Sequence, residues 1–139
     1  MNEIERIIEN IKDPDWGELV KEGGLIDMYS RKVTIRHIAT NLLRRFFDEL
    51  KQIELTSITN IEELTTRLWL MVPAVKYAIG RNAAPESFGA LISKGIPIVC
   101  KPGDDEEVLK RFTTFVNIFE ALMAYHKFNE ELMKKMRYR

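Results

Sequence analysis

Apolar residues recur every three or four positions through most of the chain, the spacing of helices that bury one face. Ile4, Ile7, Ile8 and Ile11 mark a first helix over 2–12 that stops before Pro14. Asp13 or Asp15 can cap a second, short helix from Trp16 with Leu19 and Val20 inward, before Gly23-Gly24 interrupts it and leaves 25–29 unassigned. Thr34 is placed to cap a helix carrying Ile35, Ile38, Leu42, Phe46, Leu50 and Ile53. Thr59 or Asn60 starts the next one, through Ile61, Leu64, Leu68, Met71, Val75 and Ile79, with a kink expected at Pro73. Pro85 opens a shorter helix through Phe88, Leu91 and Ile92, closed by Gly95 and Pro97, after which 96–101 reads as a buried extended connector. The longest helix spans 106–136, about 45 Å, and follows acids that can cap its first turn, Asp104 to Glu107. Its stripe is Val108, Phe112, Phe115, Phe119, Leu122 and Met123, and Ala121 and Ala124 are small enough to admit a close neighbour. The pattern predicts an all-α, compact bundle of about five to six helices with one long C-terminal helix, residues 1–139 forming a single helical domain.

Composition narrows the setting. At 45% hydrophobic, 139 residues suffice for a core. Cys100 is the one cysteine, so neither an internal disulfide nor a cysteine-based zinc site is available. The N-terminal residues lack the apolar run of a signal peptide, and no segment reaches the roughly 18 apolar residues of a membrane span. A soluble, cytoplasmic protein without membrane contact is expected. Basic and acidic residues balance at 21 each, yet they are unevenly placed. Residues 1–30 hold eight acids against Arg6, Lys12 and Lys21, whereas 31–101 hold eleven bases against six acids. The segment 104–137 forms the long C-terminal helix and ends basic. Arg44 and Arg45 each precede a carboxylate by four residues, Asp48 and Glu49, and those pairs would partly neutralise the patch.

Catalytic chemistry finds no support. His37 and His126 stand alone on separate helices with no metal-ligand spacing, Cys100 sits in an apolar run, and Gly23-Gly24 lacks the lysine and hydroxyl of a phosphate loop. No cofactor or metal is expected. The basic middle remains. Three helices share it, so their cations could line one face and follow a phosphate backbone, although a solvated charged face is the commoner reading of such a composition. Tyr77 and Trp69 could stack on bases, although both residue types usually enter cores. A helix-turn-helix over 34–81 is disfavoured by long helices and a loose connection. The opposite signs of 1–30 and 31–101 also fit a helical protein–protein scaffold or self-associating adaptor, acidic end of one copy against basic face of the next, with no RNA contact.

Three blocks bring in a resemblance. Phe119-Glu120-Ala121-Leu122-Met123-Ala124-Tyr125-His126-Lys127-Phe128 resembles the closing-helix motif of the small subunit of type III-A CRISPR–Cas effectors, the Csm complex. Pro73, Tyr77, Gly80 and Arg81 match its proline-preceded helix end, and Thr40, Leu43-Arg44, Phe46-Phe47 and Asp48-Glu49 match its helix entry. The resemblance covers about 38–128 and leaves the first thirty residues out. It implies a helical protein with no enzymatic activity of its own, serving antiviral defence. Copies would stack along the effector, contact the crRNA-binding subunits and help hold the crRNA–target RNA duplex. Carried over by position, Arg44, Arg81 and Lys127 would touch the RNA backbone, joined by Lys76 and Arg45. Leu42 stands where the family often has lysine or glutamine, and Ala74 follows the proline where it often has lysine. Neighbouring copies, as homodimer or filament, are further expected partners.

Overall fold

A computed structural model describes residues 2–35 and 40–137. Seven helical segments and no strand occur among them: α1 (Glu3–Glu9), α2 (Trp16–Val20), α3 (Leu25–Ile35), α4 (Thr40–Thr56), α5 (Ile61–Gly80), α6 (Glu86–Val99) and α7 (Asp105–Arg137). Side chains set several starts, each accepting a hydrogen bond from a backbone N–H that the helix leaves unpaired. Asn2 takes Glu5 N–H at 2.9 Å, Asp15 takes Glu18 N–H at 3.2 Å, and Asn60 takes Glu63 N–H at 3.0 Å. Asp104 takes Glu107 N–H at 2.8 Å, so the long helix begins where its acids predict.

The core is organised on α7, which packs against α3, α4, α5 and α6. Val108, Phe112, Phe115, Phe119 and Leu122 are buried as expected, with Val116 beside them, and Ile118 widens the buried face. Phe115 meets Phe119 edge-on with centroids 5.4 Å apart; Phe119 meets Phe88 of α6 at 6.2 Å, and Phe88 meets Phe46 of α4 at 5.6 Å. Such edge-to-face contacts contribute about 0.5–1.5 kcal/mol each beyond burial. They join three helices through one run of rings.

Several expectations change. Thr34 does not cap the fourth helix: it lies in the last turns of α3, which runs on to Ile35, while α4 starts at Thr40. Arg36, His37 and Ile38 fall outside the described residues. The stretch 96–101 is not an extended connector, because α6 continues through Gly95 and Pro97 to Val99. Ile96 and Val99 are both buried while Pro97 faces outward, which is helical spacing. The helix also needs Gly95, since a Cβ there would lie 2.8 Å from the Phe115 ring. Burial of two large aliphatic side chains, about 1.5–3 kcal/mol each, offsets the backbone bond that proline cannot make. Ala124 is exposed; with Ala121 it borders a depression beside Trp16 and an outward-facing Val20, and it also lines a second one with Tyr125 and Phe128.

The acidic N-terminal segment is partly consumed inside the fold. Asp27 is buried between α3 and α7. Its carboxylate accepts from Gly23 N–H at 2.8 Å, from Arg31 at 3.1 and 3.0 Å, and from the Asn129 amide at 3.2 Å, which also reaches Ser30 Oγ at 2.7 Å. Burial alone would raise the Asp27 pKa, but the hydrogen bonds and the Arg31 charge outweigh it and hold the group below its ordinary value. Glu3 reaches Lys32 at 2.8 Å and Glu18 reaches Lys21 at 3.0 Å. Tyr125 O–H donates to the Val20 carbonyl at 2.6 Å, tying α2 to the same stretch of α7.

Replacing Asp27 by alanine strands Asn129, Arg31 and the Gly23 N–H, so chemical denaturation at pH 7 is expected to show a loss of about 2–4 kcal/mol. Because the native pKa is lowered, the stabilisation is complete above the ordinary value of 3.8 and disappears as pH falls below it toward the native value. Wild type and Asp27→Asn should therefore differ at neutral pH and converge in acid; a constant difference across pH would contradict this account.

Candidate nucleic-acid interface

Helices α4 and α5 form an antiparallel pair joined by the turn after Thr56. Near that turn Arg67 of α5 braces them, donating to Thr56 Oγ1 at 2.7 Å, Ser57 Oγ at 3.2 Å and Glu49 at 3.1 Å. Ser57 is itself buried, so the brace is part of the interior. At the opposite end a groove of about 300 Å³ opens between the helices, with Arg45 and Phe46 on the α4 side and Tyr77, Ala78 and Arg81 on the α5 side. Ala83, from the turn into α6, closes it, and Asn41 and Leu42 stand at the start of α4.

Backbone geometry fixes the α5 side. Asn82 adopts a left-handed conformation, φ 61°, which asparagine tolerates better than most residues. Its N–H then reaches the Ile79 carbonyl at 2.9 Å while Ala83 N–H reaches the Ala78 carbonyl at 2.9 Å, the paired closure that ends many helices. Arg81 is thereby held at the helix C-terminus, where the carbonyl dipoles favour a cation. Its guanidinium carbon lies 5.4 Å from the centre of the Tyr77 ring, within cation–π range. Tyr77 keeps 67% of its surface exposed. On the α4 side Phe46 belongs both to the groove and to the aromatic run of the core, so the floor does not move independently of the interior.

The expected RNA contacts separate accordingly. Arg45 and Arg81 line the same groove. Arg44, next to Arg45 on α4, and Lys76, five residues before Arg81 on α5, are exposed but lie outside its lining. Lys127 sits on α7 with its ammonium 3.1 Å from Glu131. Neither expected pair, Arg44–Asp48 nor Arg45–Glu49, forms among the described residues; Glu49 turns instead to Arg67. Among the described residues neither Arg44, Arg45, Lys76 nor Arg81 has a carboxylate within ion-pair distance. Other bases of the middle are engaged: Arg31 with Asp27, Lys32 with Glu3, Lys51 with Glu54 at 2.8 Å, and Arg67 with Glu49. Charge counting missed this sorting, and it missed Asn41, which no periodicity singles out. It also missed Lys12, brought against Lys101 near Arg111 at the other end of α6; contact with Lys101 and the two neighbouring positive charges lower the Lys12 pKa.

Trp69 and Tyr77 are not core residues. They lie with Leu70 and Pro73 along the outer face of α5, opposite Leu64, Leu68, Met71 and Val75, so the helix is apolar on both sides. Trp69 and Leu70 are 47% and 63% exposed. No catalytic constellation accompanies the groove. Cys100 is half-buried and its thiol is pushed up to about 11 by burial, and His126, buried in α7, has its pKa lowered chiefly by desolvation. No cluster of three or more potential metal ligands occurs among the described residues, and no described helix is long and apolar enough to cross a membrane.

Comparison with known proteins places these features. No curated protein and no solved structure matches the chain. The family model described as Csm2 Type III-A matches residues 18–131, which takes in both sides of the groove, the aromatic run and the Asp27 network. The chain belongs to this family, the small subunit of type III-A Csm effector complexes.

Proposed function

We propose that this small subunit acts without catalysis, as one unit in the cytoplasm, holding the crRNA–target RNA duplex through backbone contacts and bridging neighbouring subunits. The observation that carries the RNA half is the pairing state of the basic residues. Among the described residues Arg45 and Arg81 share one groove with no carboxylate partner, whereas Arg67 and Arg31 are tied into the fold; Arg44 and Lys76 are exposed outside that groove. Unpaired guanidiniums do not have to break an ion pair before meeting phosphate, and their planar donors match its oxygens. Contact of this kind is independent of sequence, which base pairing with the guide supplies. Lys127 contributes less, because binding phosphate would require it to release Glu131.

The bridging half rests on the outer face of α5. A row formed by Trp69, Leu70 and Pro73 leaves large apolar surface in water, which favours burial against another protein. We assign to it contact with other effector subunits, further copies of this chain included. A scaffold that never touches RNA would use this face alone.

Two measurements test the halves separately. In the assembled effector, Arg45→Glu with Arg81→Glu is expected to weaken target-RNA binding at least tenfold at low salt. It should also reduce the slope of log affinity against log salt by about 1.4–1.8, two phosphate contacts' worth; unchanged affinity and slope at every salt concentration would overturn the RNA role. Trp69→Glu with Leu70→Glu should leave the isolated subunit folded, since both side chains already face water, yet lower its stoichiometry in the purified effector. Full incorporation of that variant would exclude the α5 face as the bridge.

A further inference from the structure

The groove's two walls are cationic and its floor is apolar, a combination that phosphate alone does not explain. Leu42, Phe46 and Ala78 form most of the floor, and none offers a hydrogen bond. A phosphate or ribose pressed onto them would lose water without compensation. A planar ring would not. Resting on the RNA role proposed above, we infer that the groove receives one unstacked nucleobase together with its adjoining phosphate. The base would lie against the Tyr77 ring, the ring backed by the Arg81 guanidinium 5.4 Å from its centre. Arg45, on the opposite wall, would take the phosphate.

Size and chemistry agree with this occupant. About 300 Å³ is room enough for a single nucleoside. Bases stack on aromatic and guanidinium surfaces without regard to identity, because every base presents a π face. Asn41 is the one amide side chain among the lining residues, and it can both donate to and accept from a base edge. An apolar side chain from a partner protein would also fill the floor, but it would leave both arginines without an anion. Arg44 and Lys76 are exposed but outside the lining, so the groove itself offers its two arginines as the cations for the adjoining phosphate.

The test uses the full-length chain and two probes of equal charge, a five-nucleotide adenosine RNA and an abasic oligomer of the same length with every base removed. NMR titration at millimolar concentration detects binding even when a single copy binds weakly. The base-free oligomer is expected to bind about 5- to 150-fold more weakly, the range of one lost stack, with the same salt slope. Ring resonances of Tyr77 should shift with the intact oligomer and hardly with the base-free one. Tyr77→Phe should keep the discrimination and Tyr77→Ala abolish it. Equal affinity for the two probes would overturn the base pocket while leaving phosphate contact intact. The absence of any shift with either would overturn it too, and the charge-reversal experiment in the assembled effector then decides the RNA role independently. Discrimination that persists in Tyr77→Ala would place the base elsewhere and equally defeat the proposal.

Discussion

Everything in this bundle depends on the run of phenylalanine rings that crosses it. Phe115 and Phe119 come from the long helix, Phe88 from α6 and Phe46 from α4, each meeting the next edge-on. The Phe115–Phe119 contact lies within one helix, whereas the contacts of Phe88 with Phe119 and with Phe46 form only when α4, α6 and α7 come together. The same run ends at the groove, because Phe46 serves both. A site whose floor is the last member of the core shares the fixed position of that core, while its charged walls stand exposed at the surface.

Polar interactions do a different task. Asp27 with Gly23, Arg31, Ser30 and Asn129 fixes α3 against the far part of α7, and Arg67 with Glu49, Thr56 and Ser57 fixes α4 against α5. Neither is a strong source of net stability, since charges taken from water regain little more than they lose. What they supply is register. Each has one arrangement in which every donor finds an acceptor, and a shift of either helix by a residue would leave a buried group unpaired.

Much of the architecture was legible in the order of residues. The stripe on α7, the isoleucine face of α1 and the caps at Asp15, Asn60 and Asp104 are local signals, and they hold. The failures were cases where tertiary packing overrode a local rule. Gly95 and Pro97 look like a helix stop, but Phe115 needs the space of a missing Cβ, and the burial of Ile96 and Val99 carries the helix through. Thr34 looks like a cap only when α3 is taken to end early. The site was half legible: spacing four apart pairs Arg45 with Glu49, and nothing in the sequence says that Glu49 will prefer a helix eighteen residues away. Family resemblance named Arg44, Arg81 and Lys127, whereas the fold groups Arg81 with Arg45 and Tyr77 and gives Lys127 an intramolecular partner.

The alanines of the groove have a consequence of their own. Ala74, Ala78 and Ala83 line it from α5 and the following turn, and their methyl groups set how far the two helices stand open. Since α4 and α5 are clamped at the Arg67 end, the width of the groove at the opposite end depends on the volume of the side chains that line it. Added carbons at position 74, which is exposed, would narrow the groove from its solvent edge. Occupant size is therefore a property of this surface that a lineage could retune by single substitutions at that edge.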